Sequence, residues 1–197
     1  MSQKEPDRPD VTEMLASLRA GGDPAAMSEL FAVVYDELRV LAKRQRSAWD
    51  GNETLDTTAL VHEAYLKLAQ QPNVMAVSRA QFFALAAHVM RHILSNYARD
   101  RNAKKRGGGA AILPLDAVLD LAPAGLTAER TDVLIALDDA LTRLEALSSR
   151  QGRVVECRFY AGMSIPETAA ALDISPATVK REWALAQMWL YRELRSA

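Results

Sequence analysis

Two helix-start signals eleven residues apart constrain this chain more than any other feature. Ser164-Ile165-Pro166-Glu167 places a hydroxyl at the cap, a proline in the first turn and a carboxylate three residues on, the pattern of a capping box. Ser175-Pro176 repeats the start, and only Leu172-Asp173-Ile174 remains between them for a turn. The spacing predicts a short helix to about Leu172, a tight turn, and a longer helix to about Leu194. Asp173 stands where glycine is common, and Asp tolerates the left-handed conformation better than most residues. Ala169 and Ala170 are small enough to let the helices approach, and Ile174 and Val179 fill the angle between them. This is a helix-turn-helix pattern, whose second helix enters the DNA major groove by its N-terminal part. The candidate contacts are Ser175, Thr178, Lys180 and Arg181, with Glu182 at the edge of the set. Arginine and lysine donate to guanine edges or to phosphate. Taken alone, the pattern also fits a plain helical hairpin.

The rest of the chain reads as helix too. Period-2 runs and Asn-Gly or Asp-Gly turns are missing, so the fold class is all-α. Asp23-Pro24 opens a helix from about Ala25 to Arg46 with Leu30, Val33, Val34, Leu38 and Leu41 inward. Asp56 or Thr57 caps a second, to about Ala69, with Leu60, Ala64 and Leu68 inward. Ser78 caps a third, from Arg79 to about Lys104, with Phe83, Ala87, Met90 and Leu94 as its core face. Gly107-Gly108-Gly109 must stop it. The stretch to Leu126, with Pro114, Pro123, Asp116 and Asp120, reads as an extended, flexible linker. Helix resumes near Thr127 with a stripe of Leu134, Leu137, Leu141 and Leu144, and Ser148 to Gln151 fits another capping box. The expected organisation is two small helical domains, 1–106 and 128–197, joined by a linker at 107–127, with 1–9 as a disordered tail.

Charge is distributed unevenly. From Arg79 to Arg106 seven Lys and Arg face one acid, a balance of +6, while from Gly107 to Glu145 two Arg face seven acids, a balance of −5. Such asymmetry in a chain of net charge −1 implies a surface for a polyanion. Aromatic and amide side chains beside the basic residues suit melted DNA, which needs stacking surface and backbone charge together. A solvated basic helix over a buried Phe pair is the plainer alternative.

Other functions find little support. The single Cys157 excludes an internal disulfide framework and reads as a packing residue in a reducing compartment. No apolar run reaches the length of a membrane span, and the polar start lacks a secretory signal. His62-Glu63 begins an H-E-x-x-H motif, but Leu66 stands in the fifth place. His88 and His92 lie four apart with no third ligand nearby in sequence, so no metal is expected. No catalytic residues and no cofactor are expected either.

Taken together, LVHEAYLKL (Leu60 to Leu68), FFALAAHVMRHILSNYARDRNAKKRGGG (Phe82 to Gly109) and SIPETAAALDISPATVKREWALAQMWL (Ser164 to Leu190) resemble the sigma-70 family of transcription initiation factors. The first half looks like sigma region 2, and Gly152 to Arg192 looks like region 4. The gap between them holds a linker only, which marks the small extracytoplasmic-function class. The resemblance implies core RNA polymerase and promoter DNA as partners, in the cytoplasm. The first domain would bind the clamp coiled coil of the β′ subunit through Asp56, Leu60, Val61 and Glu63. It would hold the −10 element through Arg91, Asn96, Arg99, Arg101, Lys104, Lys105 and Arg106, with the loop from Gln70 to Ser78 receiving a flipped base. The second domain would place its last helix on the −35 element and touch the β flap, while the acidic linker mimics nucleic-acid charge near the RNA exit path. A dimeric helix-turn-helix operator-binding regulator, independent of polymerase, is the alternative.

One departure from that family stands out. Its members usually begin the polymerase-binding helix with a run such as Asp-Ala-Glu-Asp before Leu-Val. Here the run is Asp56-Thr57-Thr58-Ala59, so two acids are missing. A phosphate on Thr58, or less favourably Thr57, would restore about two negative charges at the positive end of a helix. A sub-group with a similar Thr-Ala-Leu-Val run is thought to be activated in this way by a Ser/Thr protein kinase.

Overall fold

The computed structural model describes residues 10–20, 24–48, 56–70, 78–105 and 128–196, without the side chains at 24, 47–48, 101–105, 128–134 and 196. The expected tail, most of the −10 loop and the linker lie outside these residues. Every described element is helical: α1 (Val11–Arg19), α2 (Pro24–Ala48), α3 (Thr57–Ala69), α4 (Arg79–Lys105), α5 (Ala128–Leu147), α6 (Ser149–Val155), a π-helical turn (Glu156–Tyr160), α7 (Ile165–Leu172) and α8 (Pro176–Ser196). No strand occurs among them, as the missing period-2 pattern requires.

The helix ends follow their capping chemistry. Asp56 accepts from Ala59 N at 2.6 Å and Ser78 from Gln81 N at 3.3 Å, each satisfying an amide that a helix start leaves open. Ser164 makes the full reciprocal box: its hydroxyl accepts from Glu167 N at 3.3 Å, and its own N–H donates to Glu167 Oε2 at 2.7 Å. Ser148 makes only half of one, because the Gln151 side chain turns away and donates to Glu182 at 3.2 Å. α1 was not anticipated. Asp10 caps it by accepting from Thr12 N at 2.8 Å, and Val11 and Leu15 are its buried positions.

The inward stripes read from sequence form the core. Leu30, Val34, Leu38, Leu60, Ala64, Leu68, Ala87, Met90 and Leu94 are buried, whereas Val33 and Phe83 are half-buried against them and Phe82 is the deeper of the phenylalanine pair. In the second half Leu137, Leu141 and Leu144 are buried as expected, and Leu134 lies outside the described side chains. The two halves do not stand apart. One buried cluster continues from α1, α2, α3 and α4 into Leu137, Leu141, Val155, Tyr160, Ala186 and Leu190. A second seam packs Cys157, Met163 and Ala171 against Ala80, Phe83 and Ala84 of α4.

Candidate nucleic-acid and polymerase interface

α7 and α8 build the helix-turn-helix. Asp173 takes the left-handed conformation expected of it, with φ 53° and ψ 49°. The N–H of Ile174 then reaches back to the Ala169 carbonyl at 3.1 Å and closes the end of α7. Val154, Ala169 and Val179 are buried between the helices, with Ile165, Leu172, Ile174 and Trp183 around them. Ala170 is exposed, contrary to expectation, and Ala171 takes the second inward position. The reason is register: α7 packs on α4 as well as on α8, so its inward arc is shifted by one residue.

Ser175 is the cap of α8. Its hydroxyl accepts from Thr178 N at 3.1 Å and lies 2.9 Å from the Thr178 hydroxyl, which is half-buried. Lys180 and Arg181 are exposed one turn later, and Arg181 donates to the buried Glu182 at 2.9 Å. That hydrogen bond holds the Glu182 carboxyl below its usual range. Of the four candidates, Lys180 projects into solvent and Arg181 is exposed but paired with Glu182, while the two hydroxyls shape the helix start.

α3 presents a different surface. Leu60 and Val61 are wholly buried and seat the helix on the bundle. Its outward arc holds Thr58, Ala59, His62, Leu66 and Lys67, with Glu63 half-buried beside them. Thr58 is exposed in the first turn and Thr57 is half-buried. Leu66, 55% exposed, and Val40 on α2, 69% exposed, are apolar residues open to solvent that the sequence reading did not single out.

α4 divides its candidate residues. Asn96 is exposed beside Tyr97, an aromatic ring that the reading also passed over. Arg91 is 0% exposed. Its guanidinium lies 3.4 Å from Asp138, 3.0 Å from Glu145 and 3.2 Å from Glu156, with the Tyr160 ring 5.7 Å from its centre. Arg99 reaches Asp138 at 2.8 Å and Asp139 at 2.6 Å. Ser95 donates to Asp138 at 2.5 Å. The side chains of Arg101, Lys104 and Lys105, and all of Arg106, lie outside what the structure describes.

The missing third ligand for His88 and His92 comes from the other half. Glu156 brings a carboxylate to within 4.8 Å of both ring nitrogens. It is already engaged, because His88 Nδ1 lies 2.6 Å from Glu156 and Arg91 contacts both Glu156 and His92 Nε2. The positive charge between these groups is the guanidinium, which leaves a cation poor terms of entry. Cys157 is buried and its thiol is pushed up to about 12 by that burial, in keeping with a packing role. No described helix is long and apolar enough to cross a membrane.

Among the described residues every element is helical, and a capped helix-turn-helix behind a basic helix is the architecture of a DNA-binding protein. The model of the ECF sigma factor family matches residues 8–196, nearly the whole chain, and the chain belongs to that family. Sigma factors of this kind are initiation factors that bind core RNA polymerase and direct transcription from promoter DNA. A comparison with curated proteins finds no match.

Proposed function

We propose that this sigma factor engages the β′ clamp coiled coil through the outward arc of α3 and that phosphorylation of Thr58 by a Ser/Thr protein kinase strengthens the contact. The observation that carries the reading is the position of Thr58. It is exposed in the first turn of α3, two residues after the Asp56 cap, where the resemblance calls for an acid. The amides of that turn have no carbonyl partners within the helix, so added phosphate charge sits favourably there. Thr57 is the poorer acceptor because it is half-buried. Leu66 supplies exposed apolar area two turns further along the same helix.

The remaining assignments follow the order of the chain. Residues 1–106 act as region 2, with Asn96, Arg99 and the basic end of α4 along the −10 strand. Residues 128–197 act as region 4, with Lys180 and Arg181 on the −35 duplex and the β flap nearby. The site of action is the cytoplasm, where polymerase works.

The test adds purified protein, unmodified or phosphorylated on Thr58, to bacterial core polymerase with genomic DNA fragments. Promoter-specific transcripts that depend on phosphate support both parts. Equal transcription by both forms removes the switch and keeps the sigma function. Failure of both forms to bind core polymerase overturns the reading in favour of an operator-binding regulator.

A further inference from the structure

Glu182 departs from the pattern of its own helix face. Val179 before it and Ala186 after it are 0% exposed and mark the inward stripe of α8, where burial favours an apolar side chain. A carboxylate stands between them, with only 7% of the residue exposed. Each of its oxygens receives a donor: Gln151 Nε2 of α6 at 3.2 Å and Arg181 Nη2 at 2.9 Å. Gln151 leaves its own capping box half made to reach this carboxylate. Departures of this kind from local packing preference collect at functional positions.

We infer that Glu182 is a positioning residue for DNA recognition: held from α6 by Gln151, it fixes the direction of the Arg181 guanidinium, so that Arg181 reads a base where a loose cation would only neutralise phosphate. The inference rests on the placement of α8 on the −35 duplex proposed above.

The contacts run from a packed part of the domain to a free end. The Glu182 side chain is 10% exposed and that of Arg181 is 63% exposed. An exposed ion pair is weak because two long side chains lose freedom to make it. Here the carboxylate is already packed and hydrogen-bonded, so only the arginine is left to order. A guanidinium carries more donors than one carboxylate contact uses, and the remaining ones suit the O6 and N7 edge of guanine. Ordering the side chain before DNA arrives removes part of the cost that binding would otherwise carry. The acid also offsets the charge of Arg181, which weakens attraction to any phosphate and leaves the geometry for one base. Lys180 is the contrast: it is exposed on the same turn, with no partner among the described residues, and keeps its full charge for phosphate.

Glu182→Gln keeps the shape of the side chain and removes its charge. Gln151→Met removes the donor from α6, and Arg181→Ala marks the base that Arg181 reads. Each chain, phosphorylated on Thr58 and joined to core polymerase, selects from promoter duplexes randomised across the −35 element. Arg181→Ala is expected to flatten one base position. Glu182→Gln and Gln151→Met are expected to lower preference at that same position by about threefold or more while the other positions hold. Binding of a scrambled duplex by Glu182→Gln should rise, because a negative charge is gone. A purely structural role for Glu182 would weaken every position and the scrambled duplex together. That pattern, an unchanged preference at the position of Arg181, or an Arg181→Ala chain that flattens no position overturns the inference.

A second measurement needs neither polymerase nor DNA. The heteronuclear Overhauser effect at the Arg181 Nε–H reports the order of that side chain in the free protein, with the exposed Arg39 of α2 as reference. Arg181 is expected to be more ordered than Arg39 and to fall to its level in Glu182→Gln and in Gln151→Met. A native Arg181 as mobile as Arg39 overturns the inference, even if Glu182→Gln fails to fold. If no chain selects a sequence with polymerase, the −35 reading fails. An Arg181 that is ordered in the native chain and loosened in the variants then still upholds Glu182 as its positioning residue, for a duplex bound by the chain alone.

Discussion

Ser95 donates its hydroxyl hydrogen to Asp138 at 2.5 Å, and both residues are buried, one on α4 and the other on α5. The same carboxylate also receives Arg99 at 2.8 Å and faces Arg91 at 3.4 Å. A small residue pair thus anchors an ionic centre that neither half could bury alone. Removal of Asp138 leaves the buried Ser95 hydroxyl without its acceptor and takes one of three carboxylates from Arg91.

The Asp138→Ala chain is expected to lose about 3–5 kcal/mol of stability, the usual cost of breaking a buried ion pair by removing one member. Urea unfolding followed by helix signal measures it. A loss under about 1 kcal/mol would show that the centre contributes little in solution.

Two histidines give this seam pH dependence of opposite sign. The hydrogen bond to Glu156 raises His88 above its ordinary 6.5 against the opposing effect of burial, while burial, with Arg91 beside it, lowers His92. Glu156 from the π-helical turn, Glu145 and Asp138 from α5, and Arg91 from α4 are the charges facing them. A raised histidine stabilises the fold below its unfolded value near 6.5, and that gain fades as pH rises through the folded value. A lowered histidine costs stability as pH falls below 6.5. His88→Gln should therefore cost more stability at about pH 5.5 than at about pH 8.5, and His92→Gln should do the reverse. Unfolding midpoints at the two pH values check both signs; equal pH responses in the two variants contradict the assignment.

Asp173 holds φ 53° at the end of α7. Glycine has no side chain to clash there, so Asp173→Gly should raise stability by roughly 0.5–1 kcal/mol. Asp173→Val should lower it by about 1 kcal/mol or more, since branched side chains fit the left-handed region worst. Thermal unfolding of the pair decides, and the order Gly above Asp above Val is the expected outcome.

Cys157 is 1% exposed with its thiol pushed up to about 12. A thiol reagent at neutral pH should leave it unmodified in the native chain and react after unfolding. Rapid modification of the native protein would mean that the seam around Cys157, Met163 and Ala171 opens readily.

Lys180→Ala removes an exposed cation and should change stability by less than about 0.5 kcal/mol, whereas Arg181→Ala also takes a hydrogen-bond donor from the buried Glu182 and should cost more. If both cations sit on the −35 duplex, each loss weakens binding of a promoter fragment. For a phosphate contact the salt slope falls by about one, and for a guanine contact discrimination falls by about 1–3 kcal/mol. Fluorescence anisotropy across a salt series separates the two.

The helix-turn-helix was legible in sequence because its signals are local. Ser164, Glu167, Asp173 and Ser175 each act within three or four residues, through backbone groups that any such turn presents. Arg91 was not legible. Its environment is set by residues 47 to 65 positions away, and nothing in a basic helix says whether its arginines meet phosphate, water or a carboxylate from the same chain. The excess of acids from Gly107 to Glu145 was the available signal, and it was read as a property of the linker. Three of those acids, Asp138, Asp139 and Glu145, instead sit on α5 against α4. Leu60 is buried as its place in the inward stripe implied, and Val61 joins it in the core. α1 was missed because Asp10 lies within a run that reads as a polar tail.

The π-helical turn from Glu156 to Tyr160, where Ala161 N–H reaches the Glu156 carbonyl five residues back at 2.9 Å, carries one residue more than an α-turn would. An α-helix advances about 1.5 Å and turns about 100° per residue. A wide turn of this kind takes up one residue more over nearly the same rotation, so deletion of a single residue here would restore ordinary winding and leave α7 and α8 aimed much as before. The extra residue lengthens the turn without redirecting the DNA-reading helix, and the loss of one codon at this point would spare the aim of α8 where the same loss elsewhere in α6 would not.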